Sequence, residues 1–261
     1  MSEYLVDVHR YLHAHPELSY EEEKTAAYIS ERLTSWGIER QTGVAGHGIT
    51  GFIKGRNPGK KVVALRADID ALPIPEENDV PYRSLNNNVM HACGHDVHTT
   101  CLLGAIKILN ERKSKFEGAI KFIFQPAEEK LPGGAIKMIE AGVLENPRVD
   151  VILGQHVYPD LEAGKVGFRS GIYMASSDEI NLYIRGKGGH AAIPDKVDDT
   201  VLTMAEIIVS LQSIVSRKAP PALPIVLSFG KVIAAGAHNI IPSEVIVRGT
   251  LRTFSENWRA K

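Results

Sequence analysis

Three short apolar runs, at residues 61–65, 119–124 and 149–153, alternate with stretches of helical periodicity at roughly 98–111 and 133–141. Strand-length β-branched runs separated by helices predict an α/β layer on a mostly parallel sheet, because parallel neighbours need a crossover connection. Residues 51–53 add a further short strand, and residues 3–14 and 21–36 carry apolar side chains at helical spacing. The second of these segments reads as opened by Ser19 and a Glu-rich first turn and closed by Gly37, so two helices begin the chain. In sheets of this kind reactive groups collect in loops at the carboxyl ends of the strands. Here those loops read Arg66-Ala67-Asp68-Ile69-Asp70, Gln125-Pro126-Ala127-Glu128-Glu129 and Gly154-Gln155-His156. Three strand ends thus deliver carboxylate or imidazole toward one shared site.

The helix near residue 98 is entered from Met90-His91-Ala92-Cys93-Gly94-His95-Asp96-Val97-His98. Neutral imidazole, thiolate and carboxylate are the donors that borderline-soft divalent metals select, so this run reads first as part of a metal site. Cys93 as a nucleophile with His95 as its base is the other reactive reading, although no third residue is evident to orient the pair. Glu128-Glu129 alone would be a solvated charge pair; after an apolar strand and Gln125-Pro126 it reads as part of the site. His156 stands evenly between a satisfied core histidine and a ligand. Asp68 and Asp70 are either turn and cap residues or, for one of them, the support of a metal-bound group.

Composition limits the classes of function. Thirty basic against thirty-one acidic residues leave a formal net charge of -1 with no Lys/Arg block, which argues against nucleic acid and anionic membrane as partners. The first residues lack the basic and apolar regions of a secretory signal, and no apolar run is read as long enough to span a membrane, so a soluble cytoplasmic protein is expected. Two cysteines, Cys93 and Cys101, are too few for a disulfide framework and suit a reducing compartment.

From about Gly167 the pattern changes. Residues 180–185 alternate like a half-exposed strand, 198–214 are amphipathic, and 225–229 and 245–251 read as further strands, predicting an α+β second domain. The expected division is residues 1–167 and 168–261. Ser255 reads as an N-cap followed by one helical turn, so the chain is expected to be a fragment or truncated product.

Six stretches, in order along the chain, carry a family likeness: His13-Ala14-His15-Pro16-Glu17-Leu18-Ser19, Arg66 to Pro73, Met90 to His98, Gln125 to Glu129, Gly188-Gly189-His190-Ala191-Ala192-Ile193-Pro194 and His238-Asn239-Ile240-Ile241-Pro242. At these residues the chain resembles the metal-dependent amidohydrolases of the aminoacylase and carboxypeptidase superfamily, in the branch of hippurate hydrolase, N-acetyl-diaminopimelate deacetylase and the auxin-conjugate hydrolases. The resemblance implies a di-metal peptidase-like catalytic domain with an inserted lid and dimerisation domain. It implies two divalent ions (Zn, Mn, Co or Ni) held by Cys93, His95, Glu129 and His156, with Glu128 as general base toward a metal-bridged water and Asp68 as support. It further implies His190 reaching into a partner subunit's site to stabilise the oxyanion, and Asn239 and Arg252 binding the substrate carboxylate. Without the family, His190 reads as the cap of a glycine turn and Arg252 equally as a strand-edge charge. The implied activity is hydrolysis of the amide bond of N-acyl amino acids or short peptides by a homodimer; the alternative is a catalytically incomplete chain that keeps the fold and partial metal binding. The resemblance also implies one more histidine ligand, C-terminal to Lys261. Asp195, Ser243 and Lys130-Leu131 depart from the family pattern at the cleft rim, which bears on substrate preference.

Overall fold

The computed structural model describes residues 2–260, whose contacts divide between Glu162 and Ala163 into two compact units. In the first unit, α1 (Ser2–Ala14) and α2 (Glu23–Ser35) precede β1 (Arg40–Val44), β2 (Gly48–Lys54) and β3 (Val62–Asp68); α3 (His95–Glu111), β4 (Ala119–Gln125), α4 (Gly134–Glu140) and β5 (Val151–Gly154) follow. The sheet order is β1-β2-β4-β3-β5. Strand β4 and strand β5 both run parallel to β3, whereas β2 is antiparallel to β1 and to β4. Only β2 therefore opposes the common direction, and the sheet is mostly parallel. Strand β1 is not evident in the sequence: its run Arg40-Gln41-Thr42-Gly43-Val44 has no apolar alternation and buries only Val44.

The register positions the functional loops. Leu65 of β3 faces Phe122 on one side and Leu153 on the other, and Asp68 pairs with Gln125 while Arg66 pairs with Gly154. The carboxyl ends of β3, β4 and β5 thus arrive at one edge. One face of the sheet carries the main core, in which Phe122, Phe124, Ile49 and Ile53 pack with Leu102, Leu103 and Ile106 of α3 and with Val8, Leu12, Ile29 and Leu33 of the two leading helices. Burial of each such side chain supplies on the order of 1.5–3 kcal/mol.

A polar contact also joins α1 to α3. His13 places Nδ1 2.7 Å from Asp96 Oδ2 and Nε2 3.0 Å from Glu76 Oε1. The hydrogen bond to Asp96, opposed by burial and helped by Glu76, raises the His13 pKa to about 9. A raised imidazole contributes stability fully below its unfolded value near 6.5, and that contribution is lost as pH rises through about 9. We expect the difference in unfolding free energy between the native chain and His13→Asn, read from urea titrations, to shrink between pH 6.5 and pH 9. A difference constant across that window would contradict the assignment.

The second unit contains β6 (Asp178–Arg185), β7 (Gly189–His190), α5 (Thr200–Ser213), β8 (Ile225–Ala234), β9 (Ile240–Ile241), β10 (Glu244–Thr253) and α6 (Glu256–Arg259). Strands β6, β10 and β8 form an antiparallel sheet in that order, and β7 pairs with β9. Helix α5 is capped by the Asp199 side chain, which accepts from the Leu202 amide, and it packs Val201, Met204, Ile207 and Ile208 against Ile184, Val245 and Val247 of the sheet. Helix continues without a break to Lys218, so Thr200–Lys218 makes 19 helical residues, of which an 18-residue stretch has mean hydropathy 1.2, enough to cross a membrane by length and composition alone. The expected amphipathic pattern ends at 214, whereas 214–218 continue as a widened turn. Ser255 caps α6 as expected, accepting from the Trp258 amide.

Candidate metal centre

The site is built on a left-handed turn. Gly94 sits at φ +81°, and a Cβ there would lie 2.5 Å from Val157 Cγ2, so only glycine meets both the backbone angle and the approach of the 154–157 loop. The turn leaves Cys93 in the loop and makes His95 the first residue of α3, ahead of the expected start near His98. Gly94→Ala is expected to cost about 1–3 kcal/mol, measured as a lower unfolding midpoint, because strain and overpacking act together. Unchanged stability would show that the loop yields freely.

His95 is buried, and its Nδ1 donates to the Asp70 carbonyl at 2.8 Å and lies 3.2 Å from Asp70 Oδ1. That bond fixes the tautomer and leaves the Nε2 lone pair facing the strand ends. There Nε2 is buried without a hydrogen-bond partner. Asp68 Oδ2 lies 3.7 Å away, Glu129 Oε1 3.8 Å and Glu128 Oε2 4.0 Å. Cys93 Sγ lies 3.3 Å from His156 Nε2. The possible ligand atoms of Cys93, His95 and His156 fall within 4.8 Å of one another, and so do those of His95, Glu128 and Glu129. An imidazole nitrogen ringed by carboxylates, at distances too long for hydrogen bonds, draws positive charge: against burial, Asp70 and Asp68 raise the His95 pKa, and a divalent cation between nitrogen and carboxylates answers the same field. The nitrogen, sulfur and oxygen donors are a set that borderline divalent ions accept.

The bracing is as specific as the donor set. His98, buried, donates from Nδ1 to Asp68 Oδ1 at 2.6 Å and accepts the Val157 amide on Nε2 at 3.0 Å, so both ring nitrogens are occupied. Arg66 also donates to Asp68 Oδ2 at 2.6 Å. Burial alone would raise the Asp68 carboxyl, but the His98 hydrogen bond and the Arg66 guanidinium hold it well below the usual carboxylate range. Asp70 shows the same opposition: burial is outweighed by bonds from His95, from the Ser19 hydroxyl at 2.6 Å and from the Glu129 amide at 2.9 Å, and its pKa is lowered. Glu128 moves the other way, raised by burial and by the adjacent Glu129 charge. Burial and then Glu129 push the Cys93 thiol up to about 12. A thiol held protonated at neutral pH is a poor nucleophile, which disfavours the Cys93–His95 reading; a neighbouring cation would reverse the shift.

Two assignments from sequence change here. Ser19 does not open α2: the carboxylate of Glu17 accepts from the Lys24 and Thr25 amides and the Thr25 hydroxyl, and Ser19 is turned to Asp70. Asp70 joins Asp68 as a supporting aspartate, orienting His95 and holding the Glu129 backbone. The two-residue spacing of Asp68 and Asp70 at a strand end was the signal, since alternation sends both to one side. Asp96, beside His95 in sequence, is turned to His9 and His13 instead.

His190, Asn239 and Arg252 belong to the second unit and are exposed. β7 and β9 pair so that the Ala191 amide bonds the Asn239 carbonyl, bringing His190 and Asn239 to neighbouring backbone positions. His190 Nδ1 accepts the Ala192 amide at 3.1 Å, the turn-capping contact that its glycine-rich setting suggests. Arg252 lies on β10 opposite Val226.

A mostly parallel α/β sheet whose strand ends converge on the buried His95 and Asp68, the half-buried Cys93 thiol and the exposed Glu128, Glu129 and His156 defines a metal-binding α/β protein of hydrolase type. Residues 64–252 match peptidase family M20/M25/M40, and the chain belongs to that family. It is 47% identical over 250 residues to an N-acyl-L-amino acid amidohydrolase of Geobacillus stearothermophilus, covering 96% of this chain and 67% of that protein. It is 42% identical over 255 residues to an N-acetyl-L-cysteine deacetylase of Bacillus subtilis (strain 168), covering 98% of this chain and 60% of the relative. Among solved structures, the Bacillus subtilis YXEP protein, a dinuclear metal-binding peptidase of the M20 family, matches with a TM-score of 0.79 at 38% identity, covering 99% of this chain and 66% of that one. The chain thus spans between three fifths and about two thirds of the length of these relatives.

Proposed function

We propose that this chain provides most of the metal centre of an amidohydrolase that cleaves the amide bond of N-acyl amino acids. The observation that carries the reading is His95 Nε2, buried, unpartnered and ringed by Asp68, Glu128 and Glu129. Cys93, His95, Glu129 and His156 would hold two divalent ions of the Zn, Mn, Co or Ni type, which when bound acidify water and polarise the scissile carbonyl. Glu128, more exposed than Glu129 or His95, takes the proton from the attacking water and hands it to the leaving amine. Asp70 fixes the His95 ring and the Glu129 backbone, and Asp68 with His98 braces the floor between β3 and the 154–157 loop.

In the second unit, the capped Nδ1 of His190 leaves Nε2–H as a donor, which suits stabilisation of an oxyanion in the site of a partner subunit. Asn239 and the Arg252 guanidinium supply the chemistry for a substrate carboxylate. The working form is a cytoplasmic homodimer associated through a lid and dimerisation domain, residues 168–261, which follows a catalytic domain, residues 1–167, along the chain. The names of the two amidohydrolase relatives support the substrate class. Acetyl, benzoyl and indole-acetyl amino acids, assayed with the protein as its gene encodes it after loading with each metal, test the proposal. Metal-dependent release of free amino acid is expected from at least one; no release from any, with metal bound, would contradict it.

A further inference from the structure

Glu22 is fully buried, and although it occupies the N-cap position of α2 its side chain makes no capping hydrogen bond. Glu17 does that work instead. Glu22 Oε1 accepts the Ala127 amide at 2.7 Å, and Oε2 is buried without a partner. A buried carboxylate with one empty oxygen is costly to keep, so its place is not explained by stability. What it holds is unusual: Ala127 stands at φ +49°, a left-handed angle disfavoured for a residue with a Cβ, and the next two residues are Glu128 and Glu129. The same connection between α1 and α2 grips the loop at two further points. Ser19 bonds Asp70, which holds the Glu129 amide, and the Tyr20 hydroxyl accepts the Gly133 amide at 3.2 Å.

We infer that Glu22 is a positioning residue of the metal centre: by accepting the Ala127 amide it sets the left-handed turn from which Glu128 and Glu129 project. The inference rests on the reading of those glutamates as site residues. Glu22→Leu fills the volume but removes the acceptor, whereas Glu22→Gln keeps a carbonyl oxygen for Ala127. Binding of Co2+, followed by the thiolate-to-metal absorption band, is expected to weaken about 10–100-fold in Glu22→Leu and to stay within about 3-fold of the native chain in Glu22→Gln. The Ala127 amide, followed by hydrogen exchange, is expected to lose protection only in Glu22→Leu, with the β4 amides and the melting temperature little changed. Native Co2+ affinity in Glu22→Leu, or equal loss in both variants, overturns the positioning role. If the native chain itself binds no Co2+, the metal reading fails, and unaltered Ala127 exchange in Glu22→Leu would separately overturn the clamp.

Discussion

Glu128→Gln is expected to abolish nearly all turnover while metal content stays at the native level. General acid–base groups contribute about 10²–10⁴-fold to rate, and a glutamine can neither take the proton of the attacking water nor return it to the amine. Glu128 also lies farther from His95 Nε2, at 4.0 Å, than Glu129 does at 3.8 Å, and it is the more exposed of the two. Those small differences agree with a division in which Glu129 faces the ions and Glu128 the water. kcat measured beside elemental analysis of the same samples checks it. Activity surviving in Glu128→Gln, or loss of metal from it, would exchange the roles of the two residues.

Cys93→Ala is the second large effect, and it is read in metal rather than in rate. With its pKa pushed up to about 12 by burial and by Glu129, the thiol is not held as a ready thiolate; in the proposed centre it would give up its proton to a bound ion. Removing it takes away one of the three donors formed by Cys93, His95 and His156. Metal content after dialysis is expected to fall by about one ion per chain, since loss of even an outer support costs about 10–100-fold in affinity. A nucleophilic cysteine would leave metal content unchanged and lose turnover alone.

Much of this arrangement is legible in the sequence because strand direction and residue chemistry act together. Apolar runs ending in Asp68, Glu128-Glu129 and His156 already imply convergence once the strands are parallel, and the register of β3 with β4 and β5 shows them at one edge. What sequence did not carry was the orientation of side chains across long separations. Ser19 has the composition of a helix opener, yet it faces Asp70, 51 residues away. Glu22 sits in a run of three glutamates that reads as a solvated first turn, and only the path of the 126–134 loop over it shows that it is buried. The start of α3 at His95 was hidden because a glycine commonly marks a loop, whereas Gly94 here launches the helix from a left-handed turn. Helix Thr200–Lys218 exceeds its expected end because Arg217 and Lys218, charges of the kind that commonly close a helix, remain on helical turns.

The most direct test of the metal centre is a crystal of the native chain soaked in Co2+ or Zn2+ and examined at the absorption edge of that metal. Anomalous density in contact with Cys93 Sγ, His95 Nε2, His156 and a Glu129 oxygen is the result predicted. Density confined to other side chains, with His95 Nε2 still unpartnered among the strand-end carboxylates, would contradict it.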